Sequence, residues 1–397
     1  MGYTGNVTVT VAGTDHTAEA IDSVFVSRGR QTYWDGIQAG LARIVLLEPA
    51  VRPAIGDLTT VDVALNAGGT ARVFQGKVHA ISAVFDPNVG SVVTLDLFGP
   101  LAQAGRRDQN NALSAELDGV RIRNLLNAAL SEQWAEQPLT QSWGDVPATK
   151  TWADYGIDET IIDDGVYEVA PITQVPVPTL EQLATTALSG NGVVYETGDG
   201  RVGYADSTER QGASFGTPLS IGAGDVFSAS GVSFEAFDDI VNQANVTWSG
   251  GLVTFTAPLS VSQYGYVVRD YLTILNQVDD AIDFTERLVQ LQAFPAPSLP
   301  GPFLVQLNTV TDTLADDLLE LSINDYLEVT GVPTGVLPTG LFRGFVEGVN
   351  LELTSTFGNV EVFASDESYS IYNTRWADVP DTLTWGGVNA TLTWQNA

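Results

Sequence analysis

Gly56-Asp57-Leu58 leads, seventeen residues after the aspartate, into Phe74-Gln75-Gly76-Lys77-Val78, and Asn324-Asp325-Tyr326 leads at the same interval into Phe342-Arg343-Gly344-Phe345-Val346. Each block runs on into a further strand-like segment, Val92–Phe98 in one case and Asn359–Phe363 in the other. Antiparallel meanders share a period of two and so look alike. An equal interval with a common Phe-x-Gly-x-Val element asks for more than that. It points to duplicated β domains, over about residues 20–105 and 240–370.

The flanking sequence agrees. Asn6-Val7-Thr8-Val9-Thr10-Val11 alternates as a half-buried strand does, and Ala42–Leu47 is a short apolar run ended by Glu48-Pro49. Leu58–Leu65, Ala71–Val84 and Ser91–Phe98 follow, separated by Asn66-Ala67-Gly68-Gly69 and Asp86-Pro87-Asn88 as turns. Paired strands joined by short turns predict a small barrel or sandwich. Ile122, Leu125, Leu126, Ala129 and Leu130 fall on one helical face, with Ser114 or Asp118 as the cap. Thr179-Leu180-Glu181-Gln182 fits a capping box for a second helix with an apolar stripe of Leu180, Leu183, Ala184 and Leu188 and a stop at Gly190. A hairpin turning at Gly198-Asp199-Gly200 follows, then a helix over Asp279–Ala293 and a stiff connector carrying Pro295, Pro297, Pro300 and Pro302. The expected fold class is mainly β with a few helices: two similar small β-barrel or sandwich domains flanking a mixed insert. The expected divisions are 1–105, 106–175, 176–237, 238–372 and 373–397.

A shorter repeat stands out. Trp143-Gly144-Asp145-Val146-Pro147-Ala148-Thr149-Lys150-Thr151-Trp152 returns as Trp376-Ala377-Asp378-Val379-Pro380-Asp381-Thr382-Leu383-Thr384-Trp385, and the pattern overlaps again into Trp394. Thr-x-Thr-Trp is strand-like, and a tryptophan ladder can bury much area per residue. It reads either as a core hairpin or as a docking strand for another chain. Trp143, Trp152, Trp376, Trp385 and Trp394 are the candidate partner-docking residues.

The formal charge is −31, and it is lopsided: residues 1–123 hold 10 basic and 12 acidic residues, residues 124–397 hold 7 and 36. Phosphate binding needs clustered Lys and Arg, so stable nucleic-acid binding is not expected. The acidity serves solubility or makes a surface that repels DNA. The chain has no cysteine, which excludes disulfides, thiolate metal sites and a cysteine nucleophile. The N-terminus lacks a basic region followed by an apolar stretch, so no signal peptide is expected, and no run approaches the roughly 18 apolar residues of a membrane helix.

Catalytic constellations are missing. His16 and His79 are isolated and expected at surface or edge positions. G-x-S-x-G, H-E-x-x-H and the P-loop pattern do not occur. Asp163-Asp164, Asp238-Asp239 and Asp316-Asp317 are adjacent acids of the kind 48 acidic residues produce by chance, and none has the spacing of an EF-hand loop. No enzyme, metal or cofactor is expected.

The ordered set resembles the hub proteins at the tail tip of long-tailed bacteriophages, often called minor tail proteins, over about residues 30–370. The stretches that carry the resemblance are Phe74–Val78 with Leu95–Pro100, Thr179–Ala184 leading into Gly192–Glu196, Asp238–Asn242 before Val246-Thr247-Trp248, and Phe284–Leu288 before the prolines. The Trp-Ala-Asp-Val repeat and the excess of Arg over Lys look like phages of high-GC actinobacterial hosts. The resemblance implies a non-enzymatic virion protein of the tail tip, made in the host cytoplasm. It implies a homotrimer whose six β domains join a sixfold tail tube to a threefold tip around the DNA-ejection channel. Its implied partners are the tail tube or distal tail protein, the tape measure protein and other tail-tip proteins, without a membrane span. A carbohydrate-binding tail or adhesin module, stacking sugars on exposed tryptophans, is the alternative.

Overall fold

The computed structural model describes residues 3, 5–16, 21–33, 35–49, 53–87, 90–130, 161–210, 216–226, 235–236, 240–294, 297–298 and 301–367. Counting strands of three or more residues, the first β unit holds β1 (Val7–Val11), β2 (Thr14–His16), β3 (Ile21–Gly29), β4 (Leu41–Leu47), β5 (Leu58–Ala64), β6 (Thr70–Asp86) and β7 (Gly90–Phe98). The insert contributes α1 (Pro100–Ala104), α2 (Asp118–Leu130), α3 (Thr179–Gly190), the hairpin β8 (Val193–Glu196) and β9 (Val202–Ala205), and β10 (Leu219–Gly222). Next come β11 (Gln243–Trp248), β12 (Gly251–Thr256), α4 (Pro258–Tyr264), β13 (Val268–Leu272) and α5 (Val278–Gln292). The chain then returns to β with β14 (Phe303–Gln306), α6 (Asp312–Leu319), β15 (Tyr326–Thr330), β16 (Leu341–Leu353) and β17 (Gly358–Asp366).

The alternating valines of β1 do what their period requires: Val7, Val9 and Val11 are buried and the threonines between them are not. One twelve-stranded sheet runs β10-β15-β16-β3-β4-β7-β6-β5-β1-β2, with β17 beside β16 and β14 beside β17. The two repeats lie in it with the same connectivity. The first is ordered β4-β7-β6-β5 and the second β14-β17-β16-β15, every pair antiparallel.

Register matches from Leu58 to Val61 and from Tyr326 to Val329, at an offset of 268 along β6 and β16 (342 − 74), and departs beyond, where only the first repeat has a bulge between Val61 and Asp62. Leu58 faces Lys77 as Tyr326 faces Phe345, and Val61 faces Phe74 as Val329 faces Phe342. Both long strands carry a β-bulge at the same place, after Val78 and after Val346. The aspartates that open the repeats do the same work. Asp57 accepts the Ala54 N–H at 2.7 Å on its side chain and the Val78 N–H at 3.0 Å on its carbonyl. Asp325 accepts the Ser322 and Val346 N–H groups at the same two distances. The glycine of Phe-x-Gly is also explained. The ring of the preceding phenylalanine lies over it, and a Cβ on Gly76 would stand 2.5 Å from the Phe98 carbonyl oxygen, one on Gly344 2.0 Å from that of Ser365.

Several local expectations change. Strand β3 was not foreseen: a bulge between Ile21 and Ser23 shifts its phase, so its buried residues do not alternate from the start. The second helix begins after Pro178, which occupies the N-cap position without a side-chain cap bond, so the Thr179 capping box does not form. Leu188 of the expected stripe is exposed, while Ala187 is buried. Asn191, in the left-handed conformation, ends that helix rather than Gly190. Gly190 instead lets Asp118 and Tyr204 approach, since its Cβ would stand 2.3 Å from Asp118 Oδ2. Asp118 is the first residue of α2 and is buried, accepting the Tyr167 N–H at 2.9 Å and the Tyr204 hydroxyl. Gln243–Gln292, expected within the second β domain, forms a separate three-stranded sheet, β12-β11-β13, packed on α5 through Val246, Ala281, Phe284 and Leu288. Only part of the proline connector falls among the described residues.

Alanine at Gly76 or Gly344 forces the strand apart where a ring and a carbonyl already meet. Each substitution is expected to cost about 1–3 kcal/mol, read as a lowered urea midpoint with unchanged far-UV circular dichroism.

Candidate functional site

Among the described residues no group of three His, Cys, Asp or Glu could hold a metal ion. Among the described acid pairs, Asp163 and Asp316 are bound to backbone amides and Asp164 to an arginine. Asp163 accepts the Asp206 N–H at 2.9 Å, and burial pushes its pKa up to about 6. Asp164 pairs with Arg123, and Asp316 accepts the Asn66 and Ala67 N–H groups at 2.9 and 2.8 Å, pinning α6 to the turn of the first repeat. Asp238-Asp239 lies outside the described residues. His79 is exposed, whereas His16 is buried on the terminal strand of the sheet.

The distinctive chemistry is at the two matched bulges. In the second repeat the bulge residue is Glu347, fully buried between Val346 and Gly348. Its carboxylate accepts Arg210 Nη1 at 2.6 Å on one oxygen and Arg30 Nε at 2.7 Å on the other, with the Ser365 hydroxyl adding a third donor. Arg210 also donates to Asn324 Oδ1 at 2.8 and 3.0 Å, and its guanidinium stacks between Tyr33 and Phe345, 5.0 and 5.2 Å from the ring centroids. Burial alone would raise the Glu347 pKa. The Arg210 and Arg30 charges and the hydrogen bonds from Arg210 and Ser365 outweigh it and hold the group down to about 2. Arg30 follows β3 and Arg210 belongs to the insert, so this cluster joins three parts of the chain. In the first repeat the matched residue is His79. It meets Arg106 Nη2 at 2.6 Å and packs on Phe98 beside a cavity of about 300 Å³.

The arrangement is one of packing and ion pairing. The 43 kDa tail protein of prophage MuSo2 from Shewanella oneidensis matches 92 % of this chain and 99 % of its own, with a TM-score of 0.57 at 11 % identity. A tail protein from Neisseria meningitidis MC58 matches 93 % of this chain and 98 % of its own, again with a TM-score of 0.57 at 11 % identity. The chain shares the fold of these tail proteins. No protein-family model and no curated protein matches the sequence. In both comparisons the shared fold spans nearly the whole length of the two chains.

Sequence reasoning missed the Glu347 cluster. Its signal was an acid inside Phe345-Val346-Glu347-Gly348, where the period of two breaks, but Arg30 and Arg210 carry no mark of their destination. The five candidate docking tryptophans, Trp143, Trp152, Trp376, Trp385 and Trp394, lie outside the described residues.

Glu347→Gln leaves two buried guanidinium groups without a countercharge and is expected to cost about 3–5 kcal/mol at pH 7. A carboxyl held below its ordinary 4.5 contributes stability that is present above that pH and is lost as the pH falls toward about 2. Urea unfolding across that window should therefore show a shallower acid decline in the variant than in the parent.

Proposed function

We propose that the chain is a structural virion protein without enzymatic activity, a hub subunit of a phage tail tip. The observation that carries this reading is the duplication at matched strand order. A homotrimer presents six copies of one strand-turn-strand unit, which lets a threefold assembly meet a sixfold tail tube. The fold shared with two tail proteins supports the same placement. The partners in this reading are the tail tube or distal tail protein, the tape measure protein and other tail-tip proteins. The chain works in the virion after synthesis in the host cytoplasm. Among the described residues no helix is long and apolar enough to cross a membrane.

The charge fits a protein around a DNA path. Duplex DNA presents one phosphate per roughly 1.7 Å, and a basic wall would hold it by releasing counterions. An acidic wall keeps the contact unfavourable and lets DNA slide. Screening over about 8 Å limits this to acids near the wall. Residues 124–397, with 36 acidic and 7 basic residues, are the source we assign to that wall. The terminal Trp repeats are assigned to docking on a neighbouring chain.

Immunogold labelling of tails made by the strain that encodes the chain should mark one end of each tail. Label along the tube, or on no particle, would end the tip assignment, and binding of free glycan by the Trp repeats would favour the adhesin reading. A count of charges facing the assembled axis should find more acids than bases. Trp385→Ala should leave the unfolding midpoint within about 0.5 kcal/mol of the parent while lowering recovery of assembled tails.

A further inference from the structure

The two repeats agree in strand order but differ in what covers one edge. In the second repeat, β16 pairs with β17 on one side, and Gly348–Leu353 pair with β3 on the other, Gly348 facing Gly29 and Leu353 facing Val24. The matching residues of the first repeat are Ala80–Phe85. They pair with β7 through Asp96–Ser91 in the same register, and no described strand pairs with their other edge. Burial follows. Leu353 is 0 % exposed and its match Phe85 is 73 % exposed; Leu351 is buried and its match Ala83 is exposed. Val84 is also bare, at 62 %.

The difference continues past the bulge. In the second repeat the ground beside it is filled by Arg30, Tyr33 and Arg210, which rest on Asn324, Phe345 and Glu347. The matching positions in the first repeat, Gly56, Lys77 and His79, line the open cavity of about 300 Å³ together with Ile55. Ile55 is 72 % exposed, whereas its match Ile323 is 4 % exposed.

We propose that the Ala80–Phe85 edge and the cavity beside His79 are the seam at which a second copy of this chain adds a strand. The chain itself shows what such an edge takes. Within one subunit the edge of the second repeat is covered by a strand attached to the first. The same step, repeated between subunits, brings the second repeat of one copy onto the first-repeat edge of the next. A contact of this head-to-tail kind closes into a ring when its rotation permits. An exposed apolar strand edge left uncovered is an aggregation hazard, and Ala80–Phe85 contain neither Lys nor Pro to guard it. The inference deepens the homotrimer reading above and rests on it.

The test uses the full chain. Native mass measurement should give three 42.2 kDa chains for the parent. Val84→Lys with Phe85→Lys, both side chains being solvent-facing within one subunit, should give the monomer mass with unchanged far-UV circular dichroism. Leu252→Lys with Leu272→Lys, equally exposed on the β11–β13 sheet, should leave the assembly intact. The chain has no cysteine, so Ala83→Cys gives a single thiol. Its maleimide labelling should slow by about tenfold or more in the assembled protein and recover in the double-lysine background. A parent that is monomeric at every concentration, a double-lysine variant that stays assembled, or a thiol protected only when a different tail protein is added would each overturn the seam. Tails labelled at their tip with a freely reactive Ala83→Cys would remove the seam and keep the tail-tip reading. A protected seam with unlabelled tails would do the reverse.

Discussion

Strand β3 is hydrogen-bonded along both edges, to β4 through Ile21–Ser27 and to β16 through Val24–Gly29, and the rest of the molecule depends on that ladder. Without it the two repeats would be separate sheets, each ending in an open edge. With it they become one twelve-stranded sheet with a continuous core, in which Val24 and Val26 pack with residues of both repeats. Main-chain hydrogen bonds make this junction insensitive to side-chain identity, which suits a strand carrying Asp22, Ser23, Ser27 and Arg28 among its apolar residues. Arg28 is buried at its far end and donates to the Leu321 carbonyl at 3.3 Å. Burial lowers its pKa to about 10 against the pull of Asp199, Glu196 and Asp325.

Around this junction the copies differ in polarity at the shared bulge. The bulge after the Phe-x-Gly-x-Val element turns one side chain toward the space beside the sheet. In the second repeat that residue is an acid, and two guanidinium groups from distant segments neutralise it. Such a triad contributes modestly to net stability, because desolvation offsets much of its attraction, but it is costly to break. It thereby fixes how the segment after β3 and the insert meet the second repeat. In the first repeat the residue is His79, which reaches Arg106 near the end of α1 and leaves the neighbouring ground open. Strands of matched order with unequal coverage are what a chain needs if it is to contact itself once internally and once externally.

Much of the architecture was legible in the sequence because it rests on local period and spacing. The valine alternation of β1, the equal seventeen-residue intervals and the Phe-x-Gly-x-Val elements located the strands and their duplication. The glycines at Gly76 and Gly344 were legible as members of the repeat, but the atom a Cβ would meet first at each is a carbonyl of the paired strand, Phe98 or Ser365, which only the fold brings there. The helical stripe of α2 was readable for the same reason, with Ile122, Leu125, Leu126 and Ala129 all buried. The tertiary structure decided what depends on distant partners. It placed β3 between the repeats, since a bulge disguised its period and its pairing spans more than 300 residues of chain. It separated β11–β13 from the second repeat, because an alternating strand does not announce which sheet it joins. It brought Arg30 and Arg210 to Glu347, three charged residues that the sequence alone would leave in solvent. Periodicity is a property of neighbours along the chain; edge pairing and countercharge are properties of neighbours in space, and only folding supplies them.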